Sequence, residues 1–174
     1  MIETQRLLLR GWRDDDLKPF AEMNADARVM RYFPATLTEE ETRSGMHRMI
    51  ASLEQHGFCF WAAEIKESHE FAGFIGLSVP SFEAHFTPCV EIGWRLRAEF
   101  WNRGLATEGA RAALRWGFSS RELHEIVSFT ASGNLASRRV MEKIGMRRNP
   151  EDDFDYPSLP EGHPLLRHVL YRTP

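Results

Sequence analysis

From Val90 to Leu96 polar and apolar positions alternate. Val90, Ile92, Trp94 and Leu96 fall on one side, Glu91, Gly93 and Arg95 on the other. A period of two predicts a strand with one buried face. Past Trp101-Asn102-Arg103-Gly104 the period lengthens, and Ala106, Ala110, Ala113, Leu114, Gly117 and Phe118 recur at helical spacing. The stretch therefore reads as strand, glycine-containing turn and amphipathic helix, and the rest of the chain is arranged around it.

Upstream, Leu7 to Trp12 reads as a first strand that ends at Arg13-Asp14-Asp15-Asp16. Those acids suit a solvated helix cap, with Asp15 or Asp16 opening a helix over Leu17 to Asn24. Thr38-Glu39-Glu40-Glu41 matches a capping box and opens a helix that runs to His56-Gly57. Its face of Thr42, Met46, Met49, Ile50 and Leu53 fits core packing first, with a pliable wall of a binding cleft as the second reading. Phe58 to Lys66 and Phe71 to Ser78 form a strand pair across the polar turn Glu67 to Glu70, with Gly73 and Gly76 marking a bulge or close approach. Val79 to Pro88 is a loop with its own aromatics. Ile126 to Thr130 is a short strand, and Asn134 opens a helix that stops at Gly145. Asn149 to Gly162 holds five acids and three prolines around Phe154 and Tyr156, and reads as an ordered loop before a last strand at Leu165 to Tyr171. No repeat or inter-domain linker appears, so residues 1–174 read as one domain.

The turn carries the first chemical signal. A helix start leaves its first N–H groups unpaired, and the helix dipole adds positive potential there, which together make a site for phosphate. Gly104 lets a ligand approach the backbone, small Ala106 keeps the next turn open, and Arg103 adds a fixed charge. Glu91, on the polar side of the preceding strand, is the candidate general base, since a partly desolvated carboxylate has a raised pKa. An ion pair with Arg95 would explain it equally well. Glu108 is placed to pair with Arg111 on the helix surface.

The motif R-G-L-A-T-E after E-I-G-W-R-L, with N-L-A-S-R-R-V-M-E-K-I-G-M downstream, resembles the Gcn5-related N-acetyltransferase superfamily, in particular its RimJ/RimL-like branch. The resemblance implies an α/β (α+β) fold: a mixed, mostly antiparallel, twisted sheet with helices on both faces. It implies acetyl-CoA as co-substrate, its pyrophosphate on the turn Arg103, Gly104, Leu105, Ala106 and Thr107, and its pantetheine along the backbone of Trp94 and Leu96. Trp101 stands where that turn usually has Gln or Arg. Asn134 matches the asparagine that bonds pantetheine, although a helix cap alone would explain it. Met141 occupies the position where many members carry a tyrosine that protonates the thiolate. Ser137 is then the nearest substitute, unless it is a plain surface serine or the thiolate leaves to solvent. The resemblance also favours Glu91 as base, and implies an N-acetyltransferase acting on a primary amine, either a peptide N-terminus or a small molecule. Loss of the tyrosine keeps open a non-catalytic acyl-CoA-binding module of the same fold.

Composition narrows the rest. A net charge of −3 argues against nucleic-acid binding and would suit a positively charged acceptor. No apolar run approaches the roughly 18 residues that cross a bilayer, and the first residues lack a signal-peptide core, so a cytoplasmic protein without membrane partners is expected, as monomer or homodimer. Cys59 and Cys89 are expected to be free thiols. Without H-E-x-x-H or C-x-x-C no metal site is expected. His124, His163 and His168 are expected to be structural, because nothing in the sequence places them in a cleft.

Overall fold

The computed structural model describes residues 1–174. The strands are β1 (Ile2–Glu3), β2 (Leu7–Arg10), β3 (Phe60–Ile65), β4 (Phe71–Ser78), β5 (Glu91–Leu96), β6 (Val127–Ala131), β7 (Arg147–Arg148), β8 (Phe154–Asp155) and β9 (Arg167–Arg172). The helices are α1 (Leu17–Ala25), α2 (Glu39–His56), α3 (Leu105–Arg121) and α4 (Leu135–Lys143). All nine strands join one sheet in the order β1-β2-β3-β4-β5-β6-β9-β7, with β8 also on β9. Every neighbouring pair is antiparallel except β5 and β6.

Strand alternation divides the core between the two faces. Ile75, Leu77, Ile92 and Leu96 pack against Ala110 and Ala113 of α3, whose small side chains let the helix lie close. On the opposite face Phe74 and Ala62 meet Phe20 and Met23 of α1 and Met46 of α2. Each large apolar side chain buried this way contributes about 1.5–3 kcal/mol. Between Ala63 and Glu64 the β3–β4 register slips by a bulge opposite Gly73. Gly73 sits at φ +138°, and a Cβ there would lie 2.1 Å from the Arg95 carbonyl oxygen. The paired glycines of β4 did mark a close approach.

Local capping explains α2. Thr38 Oγ1 accepts the Glu41 N–H at 3.2 Å, Glu41 Oε2 accepts the Thr38 N–H at 2.8 Å, and left-handed Gly57 closes the far end. Its methionines divide between the two expected roles: Met46 is core, while Met49 also lines the cleft described below. The three aspartates differ from expectation. Asp16 is 3% exposed, accepts both Nη–H donors of buried Arg10 at 2.7 and 2.8 Å, and takes the Arg13 N–H at 2.8 Å. It closes a short 3₁₀ turn instead of capping α1 from solvent, and Arg10 continues to Glu64 at 2.6 Å.

The acidic, proline-rich segment is ordered because its aromatics are buried. Phe154 packs against Phe86 at 4.8 Å between ring centroids and Tyr156 against Phe82 at 5.2 Å, so loop 79–88 and segment 149–164 form one aromatic cluster beside β6. Three of its five acids are paired, Asp152 with Arg172 at 2.9 Å, Asp155 with Arg167 at 3.2 Å and Asp153 with Arg148.

Candidate active site

The parallel junction makes the site. β5 and β6 share a single register pair, Glu91 with Val127, fixed by the Val127 N–H on the Val90 carbonyl at 2.9 Å. Ser128 Oγ–H then caps the Ile92 carbonyl at 2.9 Å, and beyond it the strands part. Backbone groups of even-numbered β5 residues face this gap, so the N–H and C=O of Trp94 are left without a strand partner. A cleft of about 1470 Å³ runs through the gap from one face of the sheet to the other. Trp94, expected to meet pantetheine through its backbone, lies at this gap. Leu96 departs from that expectation, because its carbonyl accepts the Trp101 Nε1–H at 2.9 Å. That bond gives Trp101 its place in the turn, since the indole ties the turn to the end of β5.

At one end of the cleft lies the start of α3. Gly104 is left-handed at φ +76° and caps the helix by backbone alone. The first helical bond is Glu108 N–H to the Gly104 carbonyl at 3.0 Å, so the amides of Leu105, Ala106 and Thr107 precede it and face the cleft mouth. Arg103 does not line the cleft. Its guanidinium lies 5.6 Å from the Phe100 ring centroid, and its carbonyl accepts Arg6 Nη1–H at 2.8 Å. The expected fixed charge of the turn is therefore directed elsewhere. Arg139 and Lys143 of α4 do line the cleft, and the sequence analysis singled out neither.

The start of α4 forms the adjoining wall. Asn134 Oδ1 accepts the Ser137 N–H at 3.3 Å, which is the helix cap. Both Nδ2 hydrogens are used, on Thr130 Oγ1 at 3.0 Å and Ser137 Oγ at 3.2 Å. A ligand could reach only the second lone pair of Oδ1. Because Ser137 Oγ accepts from Asn134, its own hydrogen is free to point into the cleft. Met141 is 1% exposed and packs in the main core, so no donor stands at that position.

Glu91 is the only carboxylate lining the cleft. The residue is half-buried with its carboxyl group on the cleft, and desolvation by the surrounding protein pushes its pKa up to about 8. It forms no ion pair. The alternative partner, Arg95, lies four residues along β5, about 13 Å at strand rise, and donates Nη1–H to Asn24 Oδ1 at 2.7 Å instead. Tyr156 and His168 also line the cleft, stacked at 4.8 Å. Burial, and then the charge of Glu91, push the Tyr156 phenol up, while burial pulls His168 down despite its backbone contacts to Leu166 and Leu165. His168 thus differs from expectation by lining the cleft, whereas His124 is exposed on the surface. Glu108 bonds Arg6 and Thr4, not Arg111. No helix is long and apolar enough to cross a membrane, and no cluster of three metal-ligating side chains occurs.

The comparisons give the class of a protein with this split parallel pair, this helix start with free amides and one carboxylate on the cleft: an acetyl-CoA-dependent acetyltransferase. The acetyltransferase (GNAT) domain model matches residues 6–147, and the chain belongs to that family. It is 31% identical over 171 residues to the uncharacterized N-acetyltransferase YnaD of Bacillus subtilis, covering 98% of this chain and 94% of that one. It superposes on a GNAT-family acetyltransferase from Bacillus anthracis with TM-score 0.80 and 30% identity, covering 98% and 96%. RimL, the ribosomal L7/L12 alpha-N-protein acetyltransferase solved with coenzyme A, shares the fold at TM-score 0.75 and 18% identity, covering 97% and 94%. The protein is an N-acetyltransferase of the GNAT family, which uses acetyl-CoA as co-substrate.

Proposed function

We propose that the enzyme acetylates a primary amine, a peptide N-terminal α-amine or a small-molecule α-amine, by direct attack within a ternary complex. The observation that carries this reading is Glu91: a lone carboxylate with a pKa near 8, set where β5 and β6 part. Acetyl-CoA supplies an activated acyl group. The amides of Leu105, Ala106 and Thr107 fit its pyrophosphate and the backbone of Trp94 its pantetheine. The residues then have separate tasks. Glu91 takes the proton that the amine must lose, directly or through a water. The new N–C bond forms as the C–S bond breaks, and Ser137 Oγ–H, beside Asn134, hydrogen-bonds the departing sulfur until solvent protonates it. Holding two substrates in one geometry supplies much of the acceleration, up to roughly 7–11 kcal/mol.

The net charge of the chain is a poor guide to the acceptor. Apart from Glu91 the charged groups lining the cleft are Arg28, Arg31, Arg48, Arg95, Arg139 and Lys143. The positive acceptor that the composition suggested would meet a cationic wall. A screen of amines and N-terminal peptides with thiol detection tests the reading. CoA release above background with at least one α-amine is expected, and background release with every amine would defeat it.

A further inference from the structure

One half-buried cation in this cleft has no anion. Arg95 lies against two rings, its guanidinium carbon 4.0 Å from the Phe33 centroid and 5.3 Å from that of Phe74. Nη1–H donates to Asn24 Oδ1 at 2.7 Å, and Asn24 Nδ2–H donates in turn to Thr42 Oγ1 at 3.1 Å. Asn24 and Thr42 are both fully buried. Two polar side chains thus lie buried in the α1–α2 interface with the effect of orienting one guanidinium. Its Nε is enclosed and makes no hydrogen bond, the one such side-chain atom in the protein. Neutral partners and aromatic faces do not neutralise a buried guanidinium, and a charged group without a counter-ion is costly.

Arg10 shows how this chain treats a buried arginine that serves the fold: Asp16 and Glu64 both reach it. Arg95 lacks any such carboxylate and instead lines the cleft, on the same side of β5 as Glu91. Arg31 and Arg48 line the same half of the cleft and add positive potential. A flat guanidinium with its Nε–Nη2 edge unused matches a carboxylate, which can accept two parallel N–H bonds. Phe33, 39% exposed on the connector between α1 and α2, is the wall that can yield to admit one.

We propose that Arg95 binds a carboxylate carried by the acceptor, so that the substrates are amines with an anionic group, such as short peptides or amino-acid conjugates. The proposal rests on the acetyl-transfer reading of the same cleft and narrows its acceptor. Glu91 and Arg95 are about 13 Å apart along the strand. The carboxylate and the reacting nitrogen therefore sit at separate ends of an extended molecule, unlike the adjacent groups of a free α-amino acid.

The test compares kcat/KM for triglycine with its C-terminal amide, and for alanyl-glutamate amide with alanyl-glutamine amide. The two pairs distinguish a C-terminal carboxylate from a side-chain one. In the wild type at least one acid should exceed its neutral partner by roughly tenfold or more, about 1.4 kcal/mol. In Arg95→Gln that ratio should collapse towards one, and Arg95→Lys, which keeps the charge, should retain part of it. A guanidinium that merely pins Phe33 would change the melting temperature and leave the ratio unmoved. Equal rates for acid and amide in the wild type, or a preference that survives in Arg95→Gln, overturn the proposal. Calorimetric binding of N-acetyl-triglycine and its amide to the CoA-loaded enzyme repeats the comparison without turnover. If no amine releases CoA, the acetyl-transfer reading fails, and this titration still decides the carboxylate site.

Discussion

Arg6 and Glu108, 102 positions apart, lock together behind the phosphate turn: Glu108 Oε1 accepts the Arg6 backbone N–H at 2.8 Å and Oε2 accepts its Nε–H at 2.7 Å. Thr4 adds its hydroxyl to Oε1 at 2.7 Å, and Arg6 Nη1–H reaches on to the Arg103 carbonyl. The N-terminal strands are thereby fastened to the helix start that lines the cleft. A glutamate that the sequence shows as a surface residue of the first helical turn is the centre of a brace.

Glu108→Ala should therefore cost on the order of 2 kcal/mol, the scale of hydrogen bonds to a charged group. For a chain of this length that is a fall of roughly 4–8 °C in Tm. Burial raises the Glu108 pKa, but the bonds from Thr4 and Arg6 outweigh it and hold the group below its usual range. A depressed pKa means the contribution is complete above the unfolded value of about 4.3 and is lost as pH falls through the folded one. Melting curves of both proteins from neutral to acid pH should converge at the acid end. A gap that stays constant would show that the brace is not electrostatic.

Gly104→Val should weaken acetyl-CoA binding tenfold or more, on the order of 1.4 kcal/mol. Two causes act together. The residue sits at φ +76°, which a branched side chain resists, and the added carbons occupy the approach to the free amides. A Cβ there meets nothing closer than Arg6 Nη2 at 3.6 Å, so the protein itself leaves room for the change. Calorimetry on the folded variant decides, and unchanged affinity would remove the turn from the cofactor site.

Glu91→Gln should lower kcat while leaving acetyl-CoA affinity nearly intact, because the proposed work is on the amine. Wild-type kcat/KM should rise with pH through about 8 as Glu91 ionises, and the variant should lack that limb. Stability should change in the opposite direction. A carboxyl whose folded pKa is raised favours the folded state below its unfolded pKa, and that advantage disappears as pH climbs through 8. The variant should accordingly melt above the wild type in alkaline buffer. A variant with the wild-type pH profile would make Glu91 structural.

Sequence reading succeeded where one local pattern decides the outcome. The capping box at Thr38, the alternation of β5 and the left-handed stop at Gly145 each depend on neighbours a few positions away, and all appear as expected. It failed where the partner is distant. Nothing near Asp16 announces that Arg10 will draw it into a buried pair, since strand pairing to Glu64 creates that site. Tyr156 and His168 reach the cleft only because β9 inserts beside β6. Arg95 was visible as a polar residue on the Glu91 side of β5, and Glu91 was the partner the sequence offered for it. Its true partner, Asn24, lies 71 positions away.

The acceptor amine itself should be an α-amine in preference to a lysine side chain. An unperturbed α-amine has a pKa of about 7.7–8.0 and a lysine about 10.4, so deprotonation at pH 7 costs roughly 1 and 4.6 kcal/mol. Glu91, near 8, matches the first group, and proton transfer from it is close to balanced. Transfer from a lysine would run more than two units uphill, with no tyrosine at Met141 to assist departure of the thiolate. The cleft adds to the difference, because Arg28, Arg31 and Arg48 repel a side-chain ammonium that must enter before it can lose its proton. A peptide offering both amines, incubated with enzyme and acetyl-CoA and mapped by mass spectrometry, should carry the acetyl group on its N-terminus. Modification predominantly on the lysine would show that Glu91 does not set the acceptor class.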